Sequence, residues 1–141
     1  MLSQLSVFLE NTPGRLAKMV RTLGDAGINM HVLVVADTVD YGVARVLCSD
    51  PQGAVEALKA AHMSAALTSV VAIEIADEPG ALADLIDLVT SRGHNIEYMY
   101  TFVEPSTTNA ISVFRVSDDA GAEEHLTREG YRCLSQSQLS A

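Results

Sequence analysis

Asn11-Thr12-Pro13-Gly14-Arg15-Leu16-Ala17, with Gly27-Ile28-Asn29 ten residues further on, returns later in the chain as Asp77-Glu78-Pro79-Gly80-Ala81-Leu82-Ala83 with Gly93-His94-Asn95. From Leu9/Ile75 to Met30/Ile96 the two stretches align without a gap at a constant offset of 66 residues, and six of the 22 pairs are identical. A fixed offset marks an internal repeat, which decides the fold before any single element does. The identical residues cluster at the two ends of a helix. Helix ends carry backbone groups without intrahelical partners, and these can hold a ligand.

Working outward, each copy reads strand, helix, strand, strand, helix, strand. In the first, Leu5, Val7 and Leu9 alternate at the strand period, and Leu16, Val20 and Leu23 recur at the helical one. Gly27 follows as a helix C-cap. The apolar run Met30 to Ala36 predicts a strand covered on both faces. Asp37 to Gly42 makes a turn, Val43 to Cys48 a third strand, and Asp50-Pro51 opens a second helix with Val55, Leu58 and Met63 on one side. Ala66 to Ala76 is long enough for two strands, ending one copy and beginning the next. In the second copy, Leu82, Ile86 and Val89 form the helical stripe, and Ile96, Tyr98, Tyr100 and Phe102 alternate along a strand. A loop from Glu104 to Asn109 leads to a strand at Ala110 to Val116. Asp118/Asp119 cap the second helix, and Tyr131 to Leu134 ends the unit ahead of a polar tail. The expected fold is α+β: two ferredoxin-like βαββαβ units, residues 1–68 and 69–141, each an antiparallel sheet with helices on one face, packed together.

Composition narrows the function. No apolar run reaches the ~20 residues of a membrane span, and no signal peptide is visible, so the expectation is a cytoplasmic protein without membrane contact. Cys48 and Cys133 lie in apolar runs and are expected as reduced core thiols. Of the net charge of −9, nearly all belongs to the second copy: residues 1–68 hold five basic and six acidic residues, residues 69–141 four and twelve. So acidic a surface repels phosphate backbones and excludes nucleic acid as a partner.

The repeated pattern resembles the ACT domain, a small ligand-binding regulatory module marked by Asp/Asn-x-Pro-Gly-x-Leu-Ala at the first helix and Gly-x-Asn-Ile at the second strand. Asn11, Pro13, Gly14, Leu16, Ala17, Gly27 and Asn29 match it, and so do Asp77, Pro79, Gly80, Leu82, Ala83, Gly93, Asn95 and Ile96. The resemblance covers nearly the whole chain and implies a stand-alone tandem ACT protein, a homodimer or other homo-oligomer that binds a free amino acid or similar small zwitterion and regulates an enzyme of amino-acid metabolism in trans. It places the ligand between the first strand–helix loop and the start of the second strand, usually where two units abut. That gives Asn11, Thr12, Gly14, Arg15, Leu16 and Asn29 for one site. Asp77, Glu78, Gly80, Ala81, Leu82, Asn95, Ile96 and Tyr98 make up the other. Some amino-acid-sensing members carry a polar residue two positions before the loop Asn; Leu9 and Ile75 stand there in this chain.

The residue types suit a zwitterion. Glycine lets a ligand approach the backbone, and helix-start amides favour a carboxylate. Asn11 and Asp77 are also caps for those amides. Asn29 and Asn95 each offer a donor and an acceptor in one plane. The copies differ in charge: Lys18 and Arg21 align with Asp84 and Asp87, and Arg15 with Ala81. If the first helices were neighbours, these opposite charges would favour copy one meeting copy two. His31, His62, His94 and His125 lack metal-ligand spacing, and no nucleophile, P-loop or dinucleotide motif is present, so neither metal, cofactor nor enzymatic activity is expected. Two rivals stand beside the binding module: a ligand-free assembly module, and a small enzyme for which Asp77 is the candidate acid or base.

Overall fold

Alternation and punctuation in the sequence become hydrogen-bonded elements in the computed structural model, which describes all residues except 38–40, 104–107 and 139–141. The order is β1 (Leu2–Glu10), α1 (Arg15–Asp25), β2 (Met30–Asp37), β3 (Tyr41–Cys48), α2 (Pro51–Ala60), β4 (Ser64–Ala76), α3 (Ala81–Ser91), β5 (Tyr98–Val103), β6 (Asn109–Arg115), α4 (Asp119–Arg128) and β7 (Arg132–Cys133), followed by a 3-10 turn at Gln136–Gln138. The chain divides into two compact units. One is Ser3–Thr68; the other is Ser69–Gln136 together with Met1–Leu2. The loops expected at Asp37 to Gly42 and Glu104 to Asn109 fall largely outside the described residues.

The two units repeat one topology. In the first, the strand order is β4-β1-β3-β2; in the second it is β7-β4-β6-β5. β1 and β2 both run antiparallel to β3, with Leu5 opposite Val46 and Leu33 opposite Val46. β6 stands between β4 and β5 in the same way, with Val71 and Met99 opposite Phe114. This is the α+β ferredoxin-like arrangement that the alternation predicts. Instead of two strands, Ala66 to Ala76 lies within one strand, β4, which passes from one unit into the other between Thr68 and Ser69.

Each unit has its own core. Leu5, Val7 and Leu9 on β1 meet Met19 and Leu23 of α1, Val46 and Cys48 of β3, and Val55 and Leu58 of α2. In the second unit Val71, Ile73 and Ile75 meet Leu85, Val89, Phe114 and Leu126. Met63 joins the first core from beyond the end of α2, not from the helix itself. Two buried polar side chains are satisfied locally: Gln4 donates to Ser6 Oγ at 3.2 Å, and the Ser112 and Thr101 hydroxyls stand 2.6 Å apart.

The expectation for Met30 to Ala36 needs correction. β2 is the edge strand of its unit, and Leu33 and Val35 are 40% and 45% exposed. A nearly continuous apolar run fits a central strand and an edge strand with an uncovered apolar face equally well. Ile96 is also not part of the alternation of β5. It packs on the helix-side core as Met99 does, three positions on, so the chain is irregular before Tyr98.

Helix ends explain the repeated glycines. After α1, Gly27 takes φ 74° and donates to the Gly24 carbonyl at 3.0 Å, while Ile28 donates to Leu23 at 3.0 Å, the paired bonds of a Schellman end. α2 ends on the same left-handed geometry without a glycine. His62 has φ 61°, where the second unit uses Gly130 at φ 93°. A side chain there costs on the order of 1 kcal/mol. His62→Gly is therefore expected to stabilise the protein by about 1 kcal/mol, read as a raised urea midpoint; an unchanged midpoint would show that the strain is absent.

The cysteines are free, Cys48 buried and Cys133 half-buried. Burial, the largest influence in both, raises each thiol above its ordinary value, so both stay protonated near neutral pH. Iodoacetamide at pH 8 is expected to label them more than about tenfold more slowly in the folded chain than in urea. Equal rates would contradict the burial.

Candidate functional site

The first helix of each unit begins differently from the second. α2 and α4 are capped by side chains: Asp50 accepts from the Gly53 amide and Asp118 from the Gly121 amide, each at 3.0 Å. α1 and α3 start from Gly14 (φ 87°) and Gly80 (φ 89°), with no side-chain cap. Asn11 and Asp77, expected as caps, do not serve. The Pro-Gly turn puts the glycine at the cap position and carries the Asx residue past it. The Asp77 amide instead donates to the Thr108 carbonyl at 3.0 Å. At both starts, exposed first-turn amides and the positive end of the helix dipole therefore meet no carboxylate from their own chain's cap.

In the first unit a cleft of about 130 Å³ adjoins this start. It is lined by Asn11, Thr12, Arg15 and Leu16 together with Val35 and Gly42, so four predicted site residues come together. Arg15 leans across it, its Nη2 3.4 Å from Glu10 Oε2. Leu9 and Ile75 point into the two cores at 5% and 6% exposure, which explains why no polar residue stands there.

Asn29 and Asn95 do not reach the loop of their own unit. Glu10 pairs with Tyr41 at one end of β3, while Met30 pairs with Cys48 at the other. Crossing those positions takes roughly 23 Å at ~3.3 Å per residue. At its own end, the Asn29 amide donates to Ser49 Oγ at 3.1 Å and its carbonyl accepts from the Ser49 amide at 2.9 Å. The second unit repeats this. Asp77 sits beside Thr108 at the start of β6, whereas Glu97, next to Asn95 and Ile96, bonds Arg115 at its end. Tyr98, opposite Arg115, is at that far end too.

In the second unit a larger cleft, about 360 Å³, gathers Glu78 and Ala81 with residues the sequence did not single out: Glu74, Asp84, Asn109, Tyr131 and Arg132. Glu74 holds it together. One carboxylate oxygen accepts from Asn109 Nδ2 at 2.9 Å, the other from Arg132 Nη1 at 3.1 Å. A single charge inside the apolar stretch Val70 to Ile75 was the available signal. Its partners, 35 and 58 residues away, were not visible along the chain. Among the described residues no group of three His, Cys, Asp or Glu is placed to hold a metal ion. No helix there is long and apolar enough to cross a membrane.

Comparison with known proteins agrees with this geometry. The family model for an ACT domain pair matches residues 1–141. Among solved structures, protein BT0572 from Bacteroides thetaiotaomicron is 37% identical, with a TM-score of 0.92, over 99% of this chain and 95% of that one. The regulatory subunit of aspartate kinase from Thermus thermophilus, in its ligand-free form, shares the fold at 20% identity and TM-score 0.65, over 91% and 92% of the two chains. The corresponding subunit from Thermus flavus does so at 22% and 0.60, over 91% and 93%. No curated protein matches this chain.

Proposed function

Because the chain belongs to the family of ACT domain pairs, we propose that it is a regulatory protein that binds a free amino acid or a similar small zwitterion at the starts of α1 and α3 and acts in trans on an enzyme of amino-acid metabolism. One observation carries the reading: among the described residues, two of four α-helices start without a side-chain cap, and these are the two behind the repeated Pro-Gly turn. A ligand carboxylate supplies the acceptor that Asp50 and Asp118 supply at the other two. Asn29 and Asn95 then join such a site only from a second copy of the fold, since their own loop lies at the far end of the sheet. A chain of this fold is the regulatory subunit of aspartate kinase in Thermus thermophilus, which supports action on a separate catalytic chain. The proposed divisions are residues 1–68 and 69–141, and the protein is proposed to be cytoplasmic and without catalytic activity of its own.

Calorimetry of the whole chain against the twenty amino acids tests the reading. Saturable binding of one or a few is expected, with Kd below about 1 mM, or roughly 4 kcal/mol of binding free energy. Absence of heat with all twenty would sink it. A second reading, a ligand-free assembly module, is favoured by the apolar edge of the first unit, where Leu16, Leu33 and Val35 are 40–45% exposed. It predicts self-association that no amino acid alters, measurable by sedimentation.

A further inference from the structure

The two units build the same corner and fill it differently. In the first, Arg15 stands at the first position of α1, between the end of β1 and the turn at His62, Met63 and Ser64, and the space left there is about 140 Å³. In the second, Ala81 stands at that position and the corner opens to about 360 Å³, floored by Ile75 and Ala76 and closed by Gly130, Tyr131 and Arg132. The residues around the vacated guanidinium position have changed with it. Phe8 has become Glu74, Thr12 has become Glu78, and Lys18 has become Asp84. Three carboxylates thus line the corner from which the basic side chain is missing.

Not all of that charge is internally matched. Glu74 is paired with Arg132 at 3.1 Å and bonded by Asn109. Glu78 and Asp84 make no side-chain hydrogen bond or ion pair among the described residues. One arginine therefore faces three acids in a concave space of a size that takes a small organic molecule. In the first unit Arg15 lines the corner, its guanidinium 3.4 Å from the Glu10 carboxylate on the same rim, where the second unit has Ala81 and Ala76.

We propose that the cleft of the second unit binds a small organic cation, a guanidinium on a short aliphatic stem, doing from outside what Arg15 does from within. The planar fork of the guanidinium would lie between Glu78 and Asp84, where paired N–H groups meet carboxylate oxygens. Its stem would cover Ala76, Ala81 and the Tyr131 ring. This does not depend on zwitterion binding, because the cation is held by side-chain carboxylates and not by helix amides.

Agmatine separates the two ideas, since it has the guanidinium and no carboxylate. Titrated into the full chain and followed by calorimetry, it is expected to bind saturably with a Kd below about 1 mM, more weakly as salt is raised. Ala81→Arg restores the internal occupant of the first unit and should weaken agmatine at least tenfold. The double variant Glu78→Gln/Asp84→Asn should weaken it similarly, and circular dichroism reports whether each variant is folded. Citrulline, whose neutral urea replaces the guanidinium, should not compete. No binding at about 10 mM, or undiminished binding in the folded double variant, would overturn the proposal. Agmatine binding with no amino acid bound would leave this cleft standing and remove the zwitterion reading; the reverse result would do the opposite.

Discussion

Phe114→Ala is expected to cost about 3–5 kcal/mol, the range for removing a buried aromatic ring from a core. Phe114 is fully buried on the central strand of its unit, packed among Val71, Leu85, Val89 and Leu126. Strand pairing places Val46 at the matching position of the first unit, opposite Leu5 and Leu33 as Phe114 is opposite Val71 and Met99, so the second core is built around a ring that the first lacks. A domain of this size holds a margin of only about 5–10 kcal/mol. Losing a third or more of it should lower the urea midpoint sharply. With m near 1–3 kcal/mol per molar, the shift is about 1–5 M. Cys48→Ala removes one sulfur atom and is expected to cost no more than about 1–2 kcal/mol. Equal midpoints for the two variants would contradict the packing described above.

Gly14→Asp with Gly80→Asp is expected to reduce amino-acid binding about a hundredfold or more. Both glycines have positive φ, a conformation that aspartate tolerates better than most residues. A Cβ at either position meets nothing within 4 Å, so there is room for the side chain. Its carboxylate would cap the helix as Asp50 and Asp118 cap theirs, occupying the amides proposed for the ligand and repelling the ligand's own carboxylate. Two charge-assisted bonds at about 1.5–3 kcal/mol each set the size of the effect. Calorimetry measures it, and the thermal midpoint is expected to fall modestly, because each side chain at positive φ costs on the order of 1 kcal/mol, as at His62. If the double variant keeps wild-type affinity, the ligand is not held at the helix starts.

Much of this molecule was legible because local physics and repetition agree. The alternation in Leu5-Val7-Leu9 and the glycines at 27 and 93 each report a short stretch of backbone, and the second copy supplies an independent check on each. The stripe Leu16-Val20-Leu23 marked the helix but not its buried face, which is Met19 and Leu23, with Leu16 42% exposed. What failed needed knowledge of neighbours. Met30 to Ala36 could not show which of its faces lay at an edge. Asn11 looked like a cap because the chemistry is right, but the Pro-Gly turn displaces it from the position where a cap works. Asn29 follows its glycine closely in sequence, yet the length of one strand keeps it from the loop. The cleft at Glu74 was hidden for the plainest reason: the Asn109 and Arg132 that organise it come from two strands far along the chain.

β4 runs unbroken from Ser64 to Ala76 although the boundary between the units falls inside it. The duplication therefore left no spacer where the halves can be parted. From Ala60 to Ser91 there is neither lysine nor arginine, so trypsin has no cleavage point near the join. A gene cut away from the Thr68/Ser69 boundary would leave one half short of part of a strand and the other with a dangling apolar ribbon, the kind of frayed border that recruits foreign chains into aggregates. The pair is inherited, made and lost as one piece.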